Sequence, residues 1–185
     1  NDGHAILTLP IPTHPVETRN ATRLCIVRHG ETDWNIEKRI QGHIDVPLNA
    51  IGEAQARATA AGLRGWRFDA AYSSDLVRAR RTAEIAVADR GLAVRPASGL
   101  RERHYGTLQG LTADEIRRRQ PVDYGRYLAR ESDYGFGTGE SLAEFAARVV
   151  AAVEALASAH RGQQLLLVSH GGVLDICYRR ATGRG

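Results

Sequence analysis

Two short apolar runs in this chain stop at nearly the same polar sequence. Leu24-Cys25-Ile26-Val27 runs into Arg28-His29-Gly30, and Leu165-Leu166-Leu167-Val168 runs into Ser169-His170-Gly171-Gly172. Four apolar residues bounded by turn signals fit a strand buried on both faces, and such a strand needs cover above and below. Two more strands are expected at Ala70-Ala71-Tyr72-Ser73 and Leu92-Ala93-Val94-Arg95, the latter stopped by Pro96. Helical stretches lie between them. Asn49 caps one from about Gly52 to Leu63, and Asp75 caps another through about Ala88. Two capping boxes follow. Thr112-Ala113-Asp114-Glu115 opens a short basic helix ending near Pro121, and Ser141-Leu142-Ala143-Glu144 opens a long Ala-rich helix to about His160. A last helix starts after His170. Strands alternating with helices predict an α/β fold, a three-layer α/β/α arrangement around a mostly parallel sheet. In such sheets ligands bind at the carboxyl ends of the strands, which is where His29 and His170 fall.

The chain has 185 residues, 43% of them hydrophobic and 25% charged, the balance of one ordinary globular domain. Pro10, Pro12 and Pro15 mark residues 1–21 as an extended arm outside the core, leaving residues 22–185 as a single domain. Between Gly99 and Gly139 the pattern is irregular and glycine- and tyrosine-rich, so residues 105–140 are expected to form a loop-rich cap insertion. Gly135-Phe136-Gly137-Thr138-Gly139 follows no strand and reads as a flexible loop rather than a phosphate loop. No apolar run approaches the roughly 20 residues that cross a bilayer, so no membrane partner is expected. The chain begins at Asn1 and contains no Met, so its natural start is expected to have been trimmed or processed. Cys25 and Cys177 sit in apolar surroundings and read as two reduced thiols of a cytoplasmic protein.

The net charge is +4, with Lys+Arg 25, and Lys38 is the only lysine. The arginines are scattered and no basic stripe is interleaved with aromatics, which argues against nucleic acid as a partner. A positive pocket for a small anion fits better. A histidine directly after an arginine at the end of a buried strand has no packing purpose. Arginine supplies a forked donor for phosphate, and Gly30 lets backbone amides come close to an anion. His29, His43 and His170 lack helical or hairpin ligand spacing, so no metal is expected. Taken alone, Arg78 could be a solvated surface residue and Glu102 a plain ion-pairing one, and His43 and His104 read as surface or loop histidines.

Five segments together carry a resemblance. They are Arg28-His29-Gly30-Glu31-Thr32 with Asn35; Gln41-Gly42 with Gly52-Glu53-Ala54-Gln55-Ala56; Ser73-Ser74-Asp75-Leu76-Val77-Arg78-Ala79; Leu100-Arg101-Glu102-Arg103-His104-Tyr105-Gly106; and Ser169-His170-Gly171-Gly172. In this order and spacing the chain resembles the histidine phosphatase (phosphoglycerate mutase-like) superfamily over about residues 23–182. The resemblance implies that His29 is the nucleophile and that Glu102 is the general acid and base. His170, Arg28 and Arg78 would cage the phosphoryl group, with Asn35, Gln41, Gly42 and the Gly171 amide nearby and Arg103 and Tyr105 at the substrate entrance. It implies no metal and no cofactor, since arginines take the place of a cation. It also implies a further sheet strand after the last helix, which the residues up to Gly185 do not supply. Either a tail beyond Gly185 completes the sheet, or the sheet is one strand short and its edge is exposed or covered by the N-terminal arm; a homodimer is compatible with the sequence.

The stretch from Glu102 to Thr112 is similar to that of bisphosphoglycerate-dependent phosphoglycerate mutases. Those mutases follow it with Lys, where this chain has Ala113, and carry a Trp-Arg-Arg block absent here. Arg126 and Arg130 are the later candidates for holding a substrate carboxylate. Hydrolysis of small phosphomonoesters is therefore the expected reaction. The alternative is a 3- to 2-phosphoglycerate mutase primed by 2,3-bisphosphoglycerate, and a remote one is an inactive phosphate-binding or interaction domain.

Overall fold

The structure, a computed structural model, describes residues 20–184, so the arm lies outside the described residues except for its last two positions. Four parallel strands form the sheet: β1 (Arg23–Arg28), β2 (Ala70–Ser73), β3 (Val94–Pro96) and β4 (Gln164–Ser169). Their spatial order is β1-β4-β2-β3, so β1 and β3 are its edges among the described residues. Of the two strands with four consecutive apolar residues, β4 sits inside, with Leu165–Val168 buried on both faces, while β1 is an edge.

Alternation along the strands divides the core in two. Cys25, Val27, Ala71, Leu166 and Val168 face one side and pack on Leu63, Ala79, Ala83 and Ala86. These belong to or adjoin α2 (Ala50–Gly62) and α3 (Val77–Ala86). The alanine stripe on α3 lets its backbone come close to the sheet. Ala70, Leu165 and Leu167 face the other side with Leu24 and Ile26, against Leu100 and against Val153 and Leu156 of α6 (Leu142–Ala159). That helix packs through Phe145 and Val149 on Val173 and Ile176 of α7 (Gly171–Thr182). The layers are those read from the sequence, and the caps at Asn49, Thr112 and Ser141 form as expected.

Two local expectations are overturned. Asp75 does not cap α3, whose first residue is preceded by Leu76 with no side-chain cap. The Asp75 carboxylate instead takes a two-bond fork from Arg101, at 2.7 and 2.5 Å. A bidentate arginine is a stronger partner for a carboxylate than one backbone amide. The second concerns the cap. After a short α1 (Asp33–Ile36), α2 and α3, the chain forms not one but two cap helices, α4 (Ala113–Arg119) and α5 (Pro121–Ala129). Pro121 looked like a terminator, yet it stands at the first position of α5, where a missing N–H costs nothing. The cap has its own small core of Leu108, Ile116 and Phe136, walled by Tyr105, Tyr124, Tyr127 and Tyr134. The Gly135–Gly139 loop is therefore anchored by a buried phenylalanine rather than free, and its Phe136 adopts a left-handed φ of 52°.

The loop after β1 is pinned to the start of α2. A Cβ on Gly30 would strike the Gly52 carbonyl, and one on Gly52 would strike the Glu31 carbonyl. Both obstacles are backbone and cannot rotate away. Gly52→Ala should cost about 1–3 kcal/mol, the range for forced overpacking, read as a lowered urea midpoint with unchanged slope.

Candidate active site

The two histidines meet because of strand register. Arg28 pairs with Ser169, and the His29 amide extends the ladder by donating to the Ser169 carbonyl at 2.9 Å. His29 continues the side-chain parity of Cys25 and Val27, and His170 that of Leu166 and Val168, so both rings leave the sheet towards α3. Their centroids lie 5.1 Å apart.

His29 is buried, with Nδ1 2.7 Å from the carbonyl of Gly30. A carbonyl only accepts, so Nδ1 carries the proton and Nε2 keeps its lone pair. Burial, the charge of Arg78 and, more weakly, that of Arg28 push the His29 pKa down to about 3, and the Gly30 bond only partly opposes them. The ring is neutral at any ordinary pH. His170, fully buried, is held well below its usual pKa by burial first and then by His29 and Arg78.

Arg78 is 1% exposed, which removes the surface alternative. Its Nη atoms donate to the carbonyls of Ile44 and Gly42, at 2.9 and 2.7 Å. Gly42 reaches that position with a left-handed φ of 52°, where a Cβ would strike the Gln109 side chain. Burial lowers the Arg78 pKa to about 10, so the guanidinium stays cationic. Thr82 links it to the nucleophile loop, accepting from the Gly30 amide and donating to the Arg78 carbonyl.

Gln41 Oε1, Arg78 Nε and both ring nitrogens of His170 are buried without a hydrogen-bond partner among the described residues. Each such group costs about 1–3 kcal/mol. Their concentration at the carboxyl end of β1 and β4 marks a site kept for a polar ligand, and two arginines make that ligand an anion. Arg28 completes the group: it is exposed, and its side chain lies beside Gly171, the first residue of α7. A helix N-terminus adds amide donors and a partial positive charge there. Asn35 is committed in part, since its Oδ1 accepts from Thr32 as the capping box of α1, leaving the amide nitrogen as its available donor.

Glu102 arrives from the loop after β3. Its Oε1 accepts from the Arg103 amide at 2.9 Å and its Oε2 from the Gly172 amide at 3.1 Å. A Cβ at position 172 would strike Glu102 Oε1, which explains the second glycine of Ser169-His170-Gly171-Gly172. Arg103 and Tyr105 line a cleft of about 430 Å³ with Tyr127, Leu142, Phe145 and Asp175. Arg103 is 5% exposed, its guanidinium anchored on the carbonyls of Glu140 and Tyr134 and stacked over Tyr105 and Phe136. Arg130 also lines the cleft, paired with Asp175 at 3.0 Å. Arg126 does not reach it and instead lies over the Tyr134 ring, beside Glu131.

The sequence model of the histidine phosphatase superfamily (branch 1) matches residues 24–185. The chain belongs to that family. Phosphoglycerate mutase-like protein 4 of Arabidopsis thaliana is 41% identical over 161 residues, covering 85% of this chain and 70% of its own. The metal-independent phosphoserine phosphatase of the same plant is 42% identical over 164 residues, covering 87% and 69%. Among solved structures, YhfR of Bacillus stearothermophilus superposes with a TM-score of 0.84 at 34% identity, covering 89% of this chain and 82% of that one. The chain is thus an enzyme of phosphoryl chemistry, and among its described residues no helix is long and apolar enough to cross a membrane.

Three residues near the acid escaped sequence reasoning. His43, read as a surface or loop histidine, lies in a loop but is half-buried, donates from Nε2 to the Glu102 carbonyl at 2.7 Å and meets the His104 ring edge-on. Arg148 of α6 and Glu140, just before its N-cap, brace the same segment. Arg148 lies 46 residues from Glu102, so no local pattern could have joined them.

The buried neutral histidines have a stability consequence. The unfolded chain takes up protons on His29 and His170 near pH 6.5, whereas the folded chain does not, so stability rises with pH up to that value and is lost below it. Each ring should contribute a slope of about 1.4 kcal/mol per pH unit on the acid side. Urea midpoints at pH 5 and pH 7.5 measure this loss, and His170→Asn should reduce the slope by about half.

Proposed function

We propose that this enzyme hydrolyses small phosphomonoesters through a phosphohistidine on His29. One observation carries the reading: a neutral imidazole, fixed by Gly30 with its Nε2 lone pair free, stands among Arg28, Arg78 and His170. His29 Nε2 attacks phosphorus while the bond to the leaving oxygen breaks, and Glu102 gives that oxygen its proton. Water then attacks the phosphohistidine, Glu102 takes the water proton, and inorganic phosphate leaves as His29 is regenerated. Phosphoryl transfer asks mainly for positioning and for charge stabilisation at the equatorial oxygens, and the arginines with His170 and the Gly171 amide supply both. No metal and no cofactor has a part in this scheme.

Hydrolysis is favoured over mutation of phosphoglycerate by the charge of the cleft. A mutase must retain a bisphosphorylated intermediate and keep water from the phosphohistidine. The charged side chains lining this cleft are two arginines and one aspartate, and Arg103 and Arg130 already have protein partners. The relative named metal-independent phosphoserine phosphatase supports hydrolysis as well. Burial raises both free thiols, Cys25 and Cys177, to a pKa of about 11, so they stay protonated at neutral pH and take no part in the proposed chemistry.

Phosphorus NMR with 3-phosphoglycerate and catalytic 2,3-bisphosphoglycerate should show inorganic phosphate growing without 2-phosphoglycerate. A 3- to 2-phosphoglycerate equilibrium with little free phosphate would make the enzyme a mutase. Glu102→Gln should lower turnover at least 100-fold, the scale of general acid–base catalysis, while vanadate still binds. Unchanged turnover would remove Glu102 from its role.

A further inference from the structure

Arg148 spends its whole guanidinium on the segment that carries the acid. Its Nε and Nη2 fork onto the Glu140 carboxylate at 2.6 and 2.8 Å. Nη1 donates to the carbonyls of Gly99 and Arg101 at 2.9 and 3.1 Å, and Nη2 also donates to the carbonyl of Glu102 at 3.1 Å. That accounts for all five donor hydrogens of an arginine. Glu140 carries the grip past the acid, its Oε2 accepting from the His104 amide at 2.9 Å. Residues 99–104 are therefore gripped by one ion pair, between Arg148 on α6 and Glu140 just before its N-cap Ser141, and α6 is itself packed on α7. The Glu102 side chain then spans to the Gly172 amide on α7.

We propose that Arg148, braced by Glu140, is the positioning residue that holds Glu102 for proton transfer at the leaving oxygen. This rests on the proposed phosphohistidine mechanism. The nucleophile is fixed by β1 and β4, and Arg78 by α3 and the carbonyls of Gly42 and Ile44, so loosening Arg148 should impair the steps that need Glu102 and leave the phosphate cage intact. Lysine keeps the charge but offers a point donor with three hydrogens, which cannot reproduce a fork plus three carbonyl contacts.

The test compares two leaving groups in Arg148→Lys and Glu140→Gln. An alkyl phosphate such as phosphoserine needs a proton on its leaving oxygen, whereas p-nitrophenyl phosphate releases a stable anion. For both variants kcat/KM on phosphoserine should fall about 100-fold and on p-nitrophenyl phosphate less than about threefold. Vanadate affinity should stay within about threefold, and phosphohistidine should accumulate because its hydrolysis also uses Glu102. Equal losses on the two substrates, or no loss on phosphoserine, would overturn the proposal. Should Arg148→Lys fail to fold, Glu140→Gln, which leaves the three carbonyl contacts of Arg148 in place, decides by the same two ratios. Failure of the mechanism itself would look different: the wild-type enzyme would form no phosphohistidine on either substrate.

Discussion

Everything at this site depends on the parallel pairing of β1 with β4 in one register. A slip of one residue would turn His29 to the opposite face of the sheet, away from His170 and from α3. The register is secured by burial on both faces, since Cys25 and Val27 pack with Leu166 and Val168 on one side and Leu24 and Ile26 with Leu165 and Leu167 on the other. The hydrophobic core thus specifies the spacing of two imidazoles that contribute little to it.

Around those rings the protein accepts an electrostatic cost. Arg78, His29 and His170 are buried together, and the unpartnered Arg78 Nε and one ring N–H of His170 are donors that an anion would use. Backbone carbonyls, not carboxylates, hold Arg78 in place, at Gly42 and Ile44. A carboxylate partner would neutralise the cation and compete with phosphate. Neutral acceptors orient the guanidinium and leave its charge available. Arg103 in the neighbouring cleft is anchored in the same way, on two carbonyls.

The sheet, its order of elements and the polar groups at its carboxyl end were legible because they are written locally. An apolar run, a strand-end histidine and a capping box such as Ser141 with Glu144 each lie within a few residues. What was not legible depends on pairs distant in sequence. Asp75 satisfied the local pattern of a helix cap, but Arg101 makes the better offer from another loop. His43 was legible as a loop histidine but not as a support of the acid, because its partner, the Glu102 carbonyl, is backbone and leaves no mark in the residue string. The second cap helix was hidden by Pro121, which ends one helix and begins the next with the same missing amide. Arg103 and Tyr105 were correctly drawn to the cleft, while Arg126, equally basic and on the same helix as the approach to Arg130, points to the Tyr134 ring.

The nucleophile and the acid are therefore held by different means. His29 is placed by main-chain hydrogen bonds of a sheet whose both faces are buried, and such placement tolerates little change. Glu102 is placed by side chains, through Arg148, Glu140 and His43, on a loop between the sheet and the cap. The cap stands further apart still, with a core of its own in Leu108, Ile116 and Phe136. Side chains on α5 can change the shape and charge of the cleft without touching β1, β4 or α3. The cap and the phosphate site meet where residues 39–43, which include the Gly42 carbonyl that holds Arg78, are hydrogen-bonded to Gln109, Gly110 and Leu111, so substrates can be exchanged through α5 while that seam is kept.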